Sequence, residues 1–326
     1  MEKDRSEHSF QRKCIDVVMA TYNGEKFIRE QLDSIFQCDN ANHYIRKIII
    51  SDDHSDDDTV TIIKSIDNEQ IELVYNNQNS GVISNFENAL KYSTAEYVIF
   101  CDQDDVWNKN KLNVLLSGIC ELDKTTKVPA LFFSDIEVVD EDLNVITPSF
   151  WGHQSINPET INDDLSLIFN NVAPGCSMIV NRSLLIKALP FPENIIMHDW
   201  WLVLCAKYFG VISYSPIATL KYRQHENNTL GANSESHITR VNRLKKINSN
   251  TMSTIVLQCK ELADSLEKGV TRQSNVQIIA ELNSLTIYQR LILIKKILSK
   301  KNKLLRNLKL TFRVISYRST SGNKLP

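Results

Sequence analysis

Apolar and polar positions follow two different periods along the first half of the chain. Short runs rich in β-branched residues at 15–19, 47–51, 71–75 and 97–101 read as buried strands. Between them apolar residues recur three and four apart. Ile28, Leu32, Ile35 and Phe36 mark one helix, and others are predicted near 56–65, 84–92 and 109–122. Strand and helix thus alternate, the signature of βαβ units.

Beyond residue 122 the rhythm changes. Segments 131–133, 177–180 and 212–214 read as short strands, 137–145 as a β-edge carrying a turn, and 200–208 as a helix. Residues 150–161 are aromatic and loop-rich, with Pro148 and Pro158 as punctuation. From His237 onward the pattern is helical, with 312–315 as a single strand-like segment. The expected organisation is a polar segment 1–12, an α/β domain 13–230 and a helical extension 231–326, divided in the polar stretch 227–236.

Composition is ordinary for a globular chain, 42% hydrophobic with a net charge of −2, but the charge is split. Residues 282–326 hold eleven Lys or Arg and no acidic residue. The rest carries 26 basic against 39 acidic side chains, a balance of −13. Seven scattered cysteines without a C-x-x-C pair favour a reducing compartment. The charged N-terminus is unlike a signal peptide, and no run approaches the ~18–20 apolar residues that span a bilayer. The expected location is cytoplasmic, and the sequons at Asn181 and Asn227 are read as accidental.

Candidate chemistry clusters at strand ends. Asp102-Gln103-Asp104-Asp105 follows the apolar run 97–101 directly. Three carboxylates in four positions repel one another unless a cation neutralises them, and oxygen-rich sets of this kind suit Mg²⁺ or Mn²⁺. Open α/β sheets bind ligands just outside the carboxyl ends of their strands, so the location suits a metal-diphosphate site. The bland alternative is a set of solvated loop carboxylates or a helix cap.

Asp52 and Asp53 end the second strand, where a carboxylate can accept from a base or a ribose. The following Asp56, Asp57 and Asp58 read as structural: Ser55 and Asp58 fit a capping box, and the others favour a helix N-terminus. Thr21-Tyr22-Asn23-Gly24 is a turn whose tyrosine can stack on a base. No glycine-rich dinucleotide or P-loop motif occurs.

His198-Asp199-Trp200-Trp201 places a carboxylate beside aromatic rings. Asp199 is either a helix cap or a general base whose pKa is raised by the tryptophans. Trp200 and Trp201 are either core residues or an apolar platform for a sugar face. His225, in Tyr222-Arg223-Gln224-His225, is a candidate ligand on weak grounds.

Taken in order, the segments 17–24, 49–59, 95–107, 198–201 and 222–228 resemble the family-2 inverting glycosyltransferases of the GT-A fold over residues 13 to 230. Asp-Gln-Asp-Asp-Val-Trp with the later Tyr-Arg-Gln-His is most similar to the bacterial rhamnosyltransferase-like branch that builds O-antigen and capsule. The resemblance implies an α/β fold: a Rossmann-like mixed sheet flanked by helices, with a C-terminal helical extension. It implies that Thr21, Tyr22, Asn23 and Asp53 hold the nucleotide. Asp102 would lie near the ribose, and Asp104 would bind the metal with Asp102 and His225. Asp199 would be the catalytic base. Two positions depart from the family pattern: Ala20 stands where proline is frequent, and His198 where glutamate commonly precedes the aspartate.

The implied reaction moves a sugar from a dTDP- or UDP-sugar to a lipid-linked oligosaccharide acceptor, with inversion. A rhamnose donor on dTDP is the subfamily expectation. The acceptor loops, about 150–171, carry no transferable code. The tail alternates Leu291-Ile292-Leu293-Ile294, Ile297, Leu304, Leu305 and Leu308 with Lys295, Lys296, Lys300, Lys301, Lys303 and Arg306. It reads as a basic amphipathic helix for peripheral contact with the anionic inner face of the membrane through residues 282–326. Packing on the body is the alternative, and no motif supports nucleic acid as partner. A non-catalytic sugar-nucleotide-binding subunit and a phosphohydrolase are the competing functions. The complete set Asp53, Asp102, Asp104 and Asp199 argues against the first, and the lack of a phosphate-accepting nucleophile motif against the second.

Overall fold

Uninterrupted apolar runs become the centre of one mixed sheet. A computed structural model describes residues 12–77, 80–126, 128–225, 250–266, 274–299, 310–311, 314–315 and 317. β1 (Ile15–Thr21), β2 (Ile45–Asp52) and β4 (Tyr97–Cys101) are buried along almost their whole length, as strands covered on both faces must be. β3 (Ile71–Tyr75) pairs with β2, and these four strands run parallel in the order β3-β2-β1-β4. Each fully buried Ile, Val or Phe here contributes about 1.5–3 kcal/mol by leaving water.

Helices connect the parallel strands. α1 (Ile28–Phe36) buries Ile28, Leu32 and Ile35, the face its spacing predicts. α2 (Ala41–Tyr44) is a single turn that the periodicity does not announce. α3 (Thr59–Lys64) starts three residues later than predicted, and α4 (Val82–Leu90) two earlier. α5 (Lys111–Thr126) buries Leu112, Leu115, Leu116 and Ile119 against the sheet.

The second half extends the same sheet with antiparallel pairings. β8 (Met178–Asn181) lies antiparallel to β4, and β6 (Ala130–Val139) antiparallel to β8. β9 (Val211–Arg223) runs parallel to β6, and the two-residue β5 (Val106–Trp107) closes that edge. β7 (Val145–Thr147) turns back on β6, the hairpin expected near 137–145. β6 and β9 are far longer than their apolar cores, because polar residues such as Ser134 and Thr219 continue each strand, buried and hydrogen-bonded to each other. α6 (Phe150–Gln154) orders part of the predicted loop. α8 (Arg182–Ala188) and α9 (His198–Phe209) flank the sheet. Asn181, one of the two sequon asparagines, is buried and accepts from Leu184 N–H at the start of α8.

Contacts divide the chain into two units. One comprises Met1–Ile161, Asn171–Phe191 and Met197–Ala232, and contains the whole sheet. The other comprises Asn162–Asn170, Pro192–Ile196 and Asn233–Pro326. It holds α7 (Asp164–Phe169), α10 (Asn250–Ser265), α11 (Asn275–Ala280) and α12 (Ile287–Leu298). The predicted boundary at 227–236, and Leu304, Leu305 and Leu308 of the tail, lie outside the described residues. So do Phe312 and Arg313 of the strand-like segment, and the described Val314 and Ile315 are helical rather than extended.

Candidate active site

The carboxyl ends of β1 and β2 are stitched together by short polar side chains. Thr21 Oγ1 donates to Asp52 Oδ2 (2.9 Å), and Asp52 also accepts from the Ser55 N–H (2.9 Å) and hydroxyl (2.6 Å). Asn23, at φ 47°, donates its N–H to Ser55 Oγ (2.9 Å) and accepts from Asp56 N–H (3.0 Å). Asp57 accepts from Glu25 N–H (3.0 Å) and Thr59 N–H (2.9 Å). The structural reading thus holds for the Asp57 carboxylate, but not through the predicted capping box. Ser55 is committed to Asp52 and Asn23, so Asp57 satisfies the start of α3 instead, and Asp58 makes no cap bond.

Asp53 is buried, with Oδ1 accepting from Asn76 Nδ2 (2.9 Å) and Ser80 N–H (3.2 Å) and Oδ2 from Gly81 N–H (2.9 Å). It shapes the loop before α4 while still lining the cleft.

The acidic loop between β4 and β5 is held from two sides. Gln103 clasps the backbone of Tyr22, accepting its N–H (3.0 Å) and donating to its carbonyl (3.0 Å). Gly24 makes room, since a Cβ there would stand 2.4 Å from Gln103 Oε1. From the other side, buried Arg223 donates through Nε to the Asp104 carbonyl (2.9 Å) and through its N–H to Asp105 Oδ1 (3.2 Å). Its guanidinium also reaches Glu30 and the Glu141 carbonyl, and stacks 4.5 Å from the Phe27 ring centroid. The end of β9 thus delivers His225 to the loop, with Nε2 2.8 Å from Asp104 Oδ2.

The loop's electrostatics match three crowded carboxylates. Burial pushes Asp102 up to about 7, helped by the negative charges of Asp104 and Asp199. Asp105 is raised well above the usual carboxylate range, again by burial first. Beneath them Lys111 is fully buried, donating to the Cys176 carbonyl (2.7 Å), and desolvation lowers its pKa. Ligand atoms of Asp102, Asp105 and Cys176 lie within 4.8 Å of one another, and Asp104 with His225 forms a second oxygen–imidazole pair. The carboxylates and the imidazole fit a divalent cation, whose charge would relieve the repulsion, whereas burial keeps the Cys176 thiol protonated.

Asp199 opens α9 at the far wall. Its Oδ2 accepts from Gly175 N–H (3.1 Å), and Oδ1 from Trp200 N–H (2.6 Å). Burial raises its pKa to about 6, against the lowering effect of those donors. Of the two roles open to the tryptophans, the sugar platform is not the one taken. Trp201 is a core residue donating to the Ala188 carbonyl (3.0 Å), and neither tryptophan lines the cleft. Aromatic lining comes instead from Tyr22, Phe27, Phe86, Phe150 and Tyr222.

One cleft of about 1030 Å³, wholly within the sheet-containing unit, brings together Thr21, Tyr22, Asn23, Asp53, Asp102, Asp104, Asp199 and His225. Sequence reasoning missed Gln103, Lys111 and Arg223. The available signal was local: Gln103 sits between two of the acids, and Arg223 two residues before His225.

Comparisons with known proteins bear on this geometry. A family model described as Glycosyl transferase family 2 matches residues 16–189. The chain is 30% identical over 238 residues to the dTDP-rhamnosyl transferase RfbG of Shigella flexneri, covering 66% of this chain and 74% of that protein. It is 24% identical over 225 residues to WfgD of Escherichia coli, covering 64% and 81% respectively. WfgD is described as a UDP-Glc:alpha-D-GlcNAc-diphosphoundecaprenol beta-1,3-glucosyltransferase. Among solved structures, residues 1–349 of S. aureus TarS in complex with UDP-GlcNAc share the fold. The match has a TM-score of 0.56 at 20% identity, over 92% of this chain and 79% of that one.

Proposed function

This chain belongs to glycosyl transferase family 2 and is a glycosyltransferase, and we propose that it transfers a sugar from a nucleotide-diphosphate donor, with inversion, to a surface-polysaccharide acceptor. The observation that carries the reading is the meeting of two kinds of carboxylate in one cleft. Asp102 and Asp104 stand with His225 at one wall, and Asp199, poised near pH 6, at another.

In this reading Thr21, Tyr22, Asn23 and Asp53 seat the nucleotide, and Tyr22, 48% exposed, offers its ring to the base. Asp104, His225 and Asp102 would hold Mg²⁺ or Mn²⁺, whose charge supports a departing diphosphate as a Lewis acid. Arg223 and Gln103 keep the loop in register so that its carboxylates face the donor. Asp199 takes the proton from an acceptor hydroxyl, which attacks the anomeric carbon from the face opposite the leaving group. The N–H groups of Gly175 and Trp200 hold its carboxylate in place, and a pKa of about 6 leaves it mostly ionised at neutral pH yet basic enough to accept.

The relatives' names guide the donor and acceptor. RfbG is described as using a dTDP-rhamnosyl donor and WfgD a UDP-glucose donor with a diphosphoundecaprenol acceptor. We place dTDP-rhamnose first, UDP-hexoses second, and a lipid-linked oligosaccharide of O-antigen or capsule as acceptor. We take 13–230 as the catalytic domain and 231–326 as its helical extension.

The extension supports a place at the inner face of the cell membrane, through only part of the apolar set that the periodicity suggests. Leu293, Ile294 and Ile297 are buried, whereas Ile287, Tyr288, Leu291 and Ile292 of α12 are exposed ahead of Lys295 and Lys296. None of the described helices is long and apolar enough to cross a membrane. An exposed apolar stripe with adjacent lysines suits an anionic leaflet.

The test is a thermal-shift screen of the purified protein against dTDP- and UDP-sugars with Mn²⁺, followed by mass analysis of the product on a lipid-linked acceptor. One sugar nucleotide should raise the melting temperature and yield an acceptor one sugar heavier. No shift and no product with any of them would refute the reading.

A further inference from the structure

The cleft is short of positive charge. Among the described residues that line it, Asp53, Asp102, Asp104, Glu141 and Asp199 are acidic, and Lys26 is the one lysine or arginine. A nucleotide-diphosphate donor brings negative charge on each phosphate, and its diphosphate gains one charge more as the bond to the sugar breaks. A divalent cation already shared with aspartates offsets only part of that. The remainder calls for a charged donor from the protein.

Lys26 is held by an exposed partner at the rim. Its Nζ donates to the Glu141 carboxylate, and the two side chains are 62% and 42% exposed, so the pair adds little to stability and is easily exchanged. The backbone on either side of Lys26 is fastened: Glu25 N–H donates to Asp57 Oδ2 (3.0 Å) and Phe27 N–H to the Gly24 carbonyl (3.1 Å). Across from it, the Glu141 carbonyl accepts from Arg223. Only the side chains need move for the ammonium to change partners. The proposed metal ligands are close by. Lys26 Nζ lies 4.9 Å from the Phe27 ring centroid, and the His225 ring packs on that same ring at 5.0 Å. The Lys26 hydrogen bond holds the Glu141 carboxyl below the ordinary glutamate range, and His225 and Arg223 are near enough to add to the effect.

We propose that Lys26 binds the donor's diphosphate, and that Glu141 is the counterion it gives up when the nucleotide enters. This rests on the glycosyltransferase reading of the cleft. Before the donor arrives, Glu141 balances the ammonium and keeps it at the rim. A phosphate then competes for the same donor protons. When the acceptor oxygen bonds to the anomeric carbon, the bond from that carbon to the diphosphate breaks. Its electron pair stays on the departing phosphate oxygen, and the acceptor's proton goes to Asp199. Lys26 therefore meets a charge that grows on the way to the transition state, and acts on turnover as well as on affinity.

The experiment is calorimetry on the full chain with Mn²⁺, titrating UDP and dTDP into wild type, Lys26→Met, Lys26→Arg, Glu141→Gln and the double variant Lys26→Met/Glu141→Gln. Both side chains are exposed, so the substitutions leave the fold intact. Lys26→Met should bind the nucleoside diphosphate that wild type prefers about tenfold more weakly, and Lys26→Arg should recover most of the loss. Glu141→Gln should move the other way and bind about threefold more tightly, since the ammonium no longer has to be released. That gain should vanish in the double variant. A bridge that only supports the fold would weaken binding in both single variants. A long-range effect of charge would leave the Glu141→Gln gain intact without Lys26. Either pattern, or unchanged affinity in Lys26→Met, would overturn the proposal. A wild type that binds neither UDP nor dTDP would instead overturn the reading beneath it.

Discussion

Asp104 and His225 lie 121 residues apart in the chain, yet Asp104 Oδ2 and His225 Nε2 stand 2.8 Å from each other. Both side chains are largely buried, at 14% and 9% exposed, so the pair is built into the cleft and is not a chance surface contact. Asp104→Ala should abolish activation by Mn²⁺ along with turnover, because a Lewis acid contributes several kcal/mol to the departure of a charged group. His225→Ala, which leaves the carboxylates, should require a higher Mn²⁺ concentration for half-maximal activity. Metal titrations of initial rate check both; an unchanged titration in either variant removes that residue from the metal's shell.

The pH dependence follows from two raised carboxylates. Asp199, near 6, must be ionised to accept a proton, so kcat should fall as pH drops through about 6 and level off above it. Asp102 is near 7 in the metal-free protein, and a bound cation favours its ionised form. Metal binding should therefore release protons and weaken as pH is lowered from 8 to 6. Calorimetry in buffers of different ionisation enthalpy measures the proton count. No release at pH 6.5 would contradict this assignment.

Arg223 ties three segments that sequence separates, touching Glu30, the Asp104 carbonyl and the Glu141 carbonyl. Glu30 is half exposed, so that ion pair adds little; the bonds to the buried loop matter more. Arg223→Met should cost about 2–4 kcal/mol of stability through lost charged hydrogen bonds. It should also weaken metal activation, since Asp104 and His225 would lose their shared anchor. Denaturant unfolding and a metal titration on the same preparation test both effects.

Lipid binding can be tested without truncation. Removing 282–326 would also remove buried Leu282, Leu293, Ile294 and Ile297, and so disturb the unit itself. Reversing the charges of Lys295 and Lys296 to Glu instead should lower recovery with phosphatidylglycerol-rich vesicles by at least about tenfold in partition, at roughly 1 kcal/mol per charge near the surface. Flotation of wild type and variant to the same extent would locate the contact elsewhere.

The fold was legible where burial is continuous. Strands such as Tyr97–Cys101 could be read because both faces are covered and every position is apolar. β9 could not be read in full, since Ser213, Ser215 and Lys221 interrupt the apolar run and only pairing with β6 makes it one strand of thirteen residues. At the site, carboxylates announced themselves by crowding at strand ends. Gln103 and Arg223 did not, because their role lies in backbone contacts 81 and 119 residues away that no local pattern encodes. A ring beside a carboxylate in sequence need not face it: the start of α9 sends the Asp199 carboxylate to Gly175 and the Trp201 indole to Ala188.

The central claim is that Asp199 is the base of a transfer reaction whose donor is held by the other wall. Asp199→Asn keeps the shape and removes the basicity. Calorimetry and turnover measured on that variant, with the donor the wild type uses, separate the two functions. The account predicts donor affinity equal to wild type and kcat lower by about 10²–10⁴-fold. Turnover near the wild-type value in Asp199→Asn would contradict it.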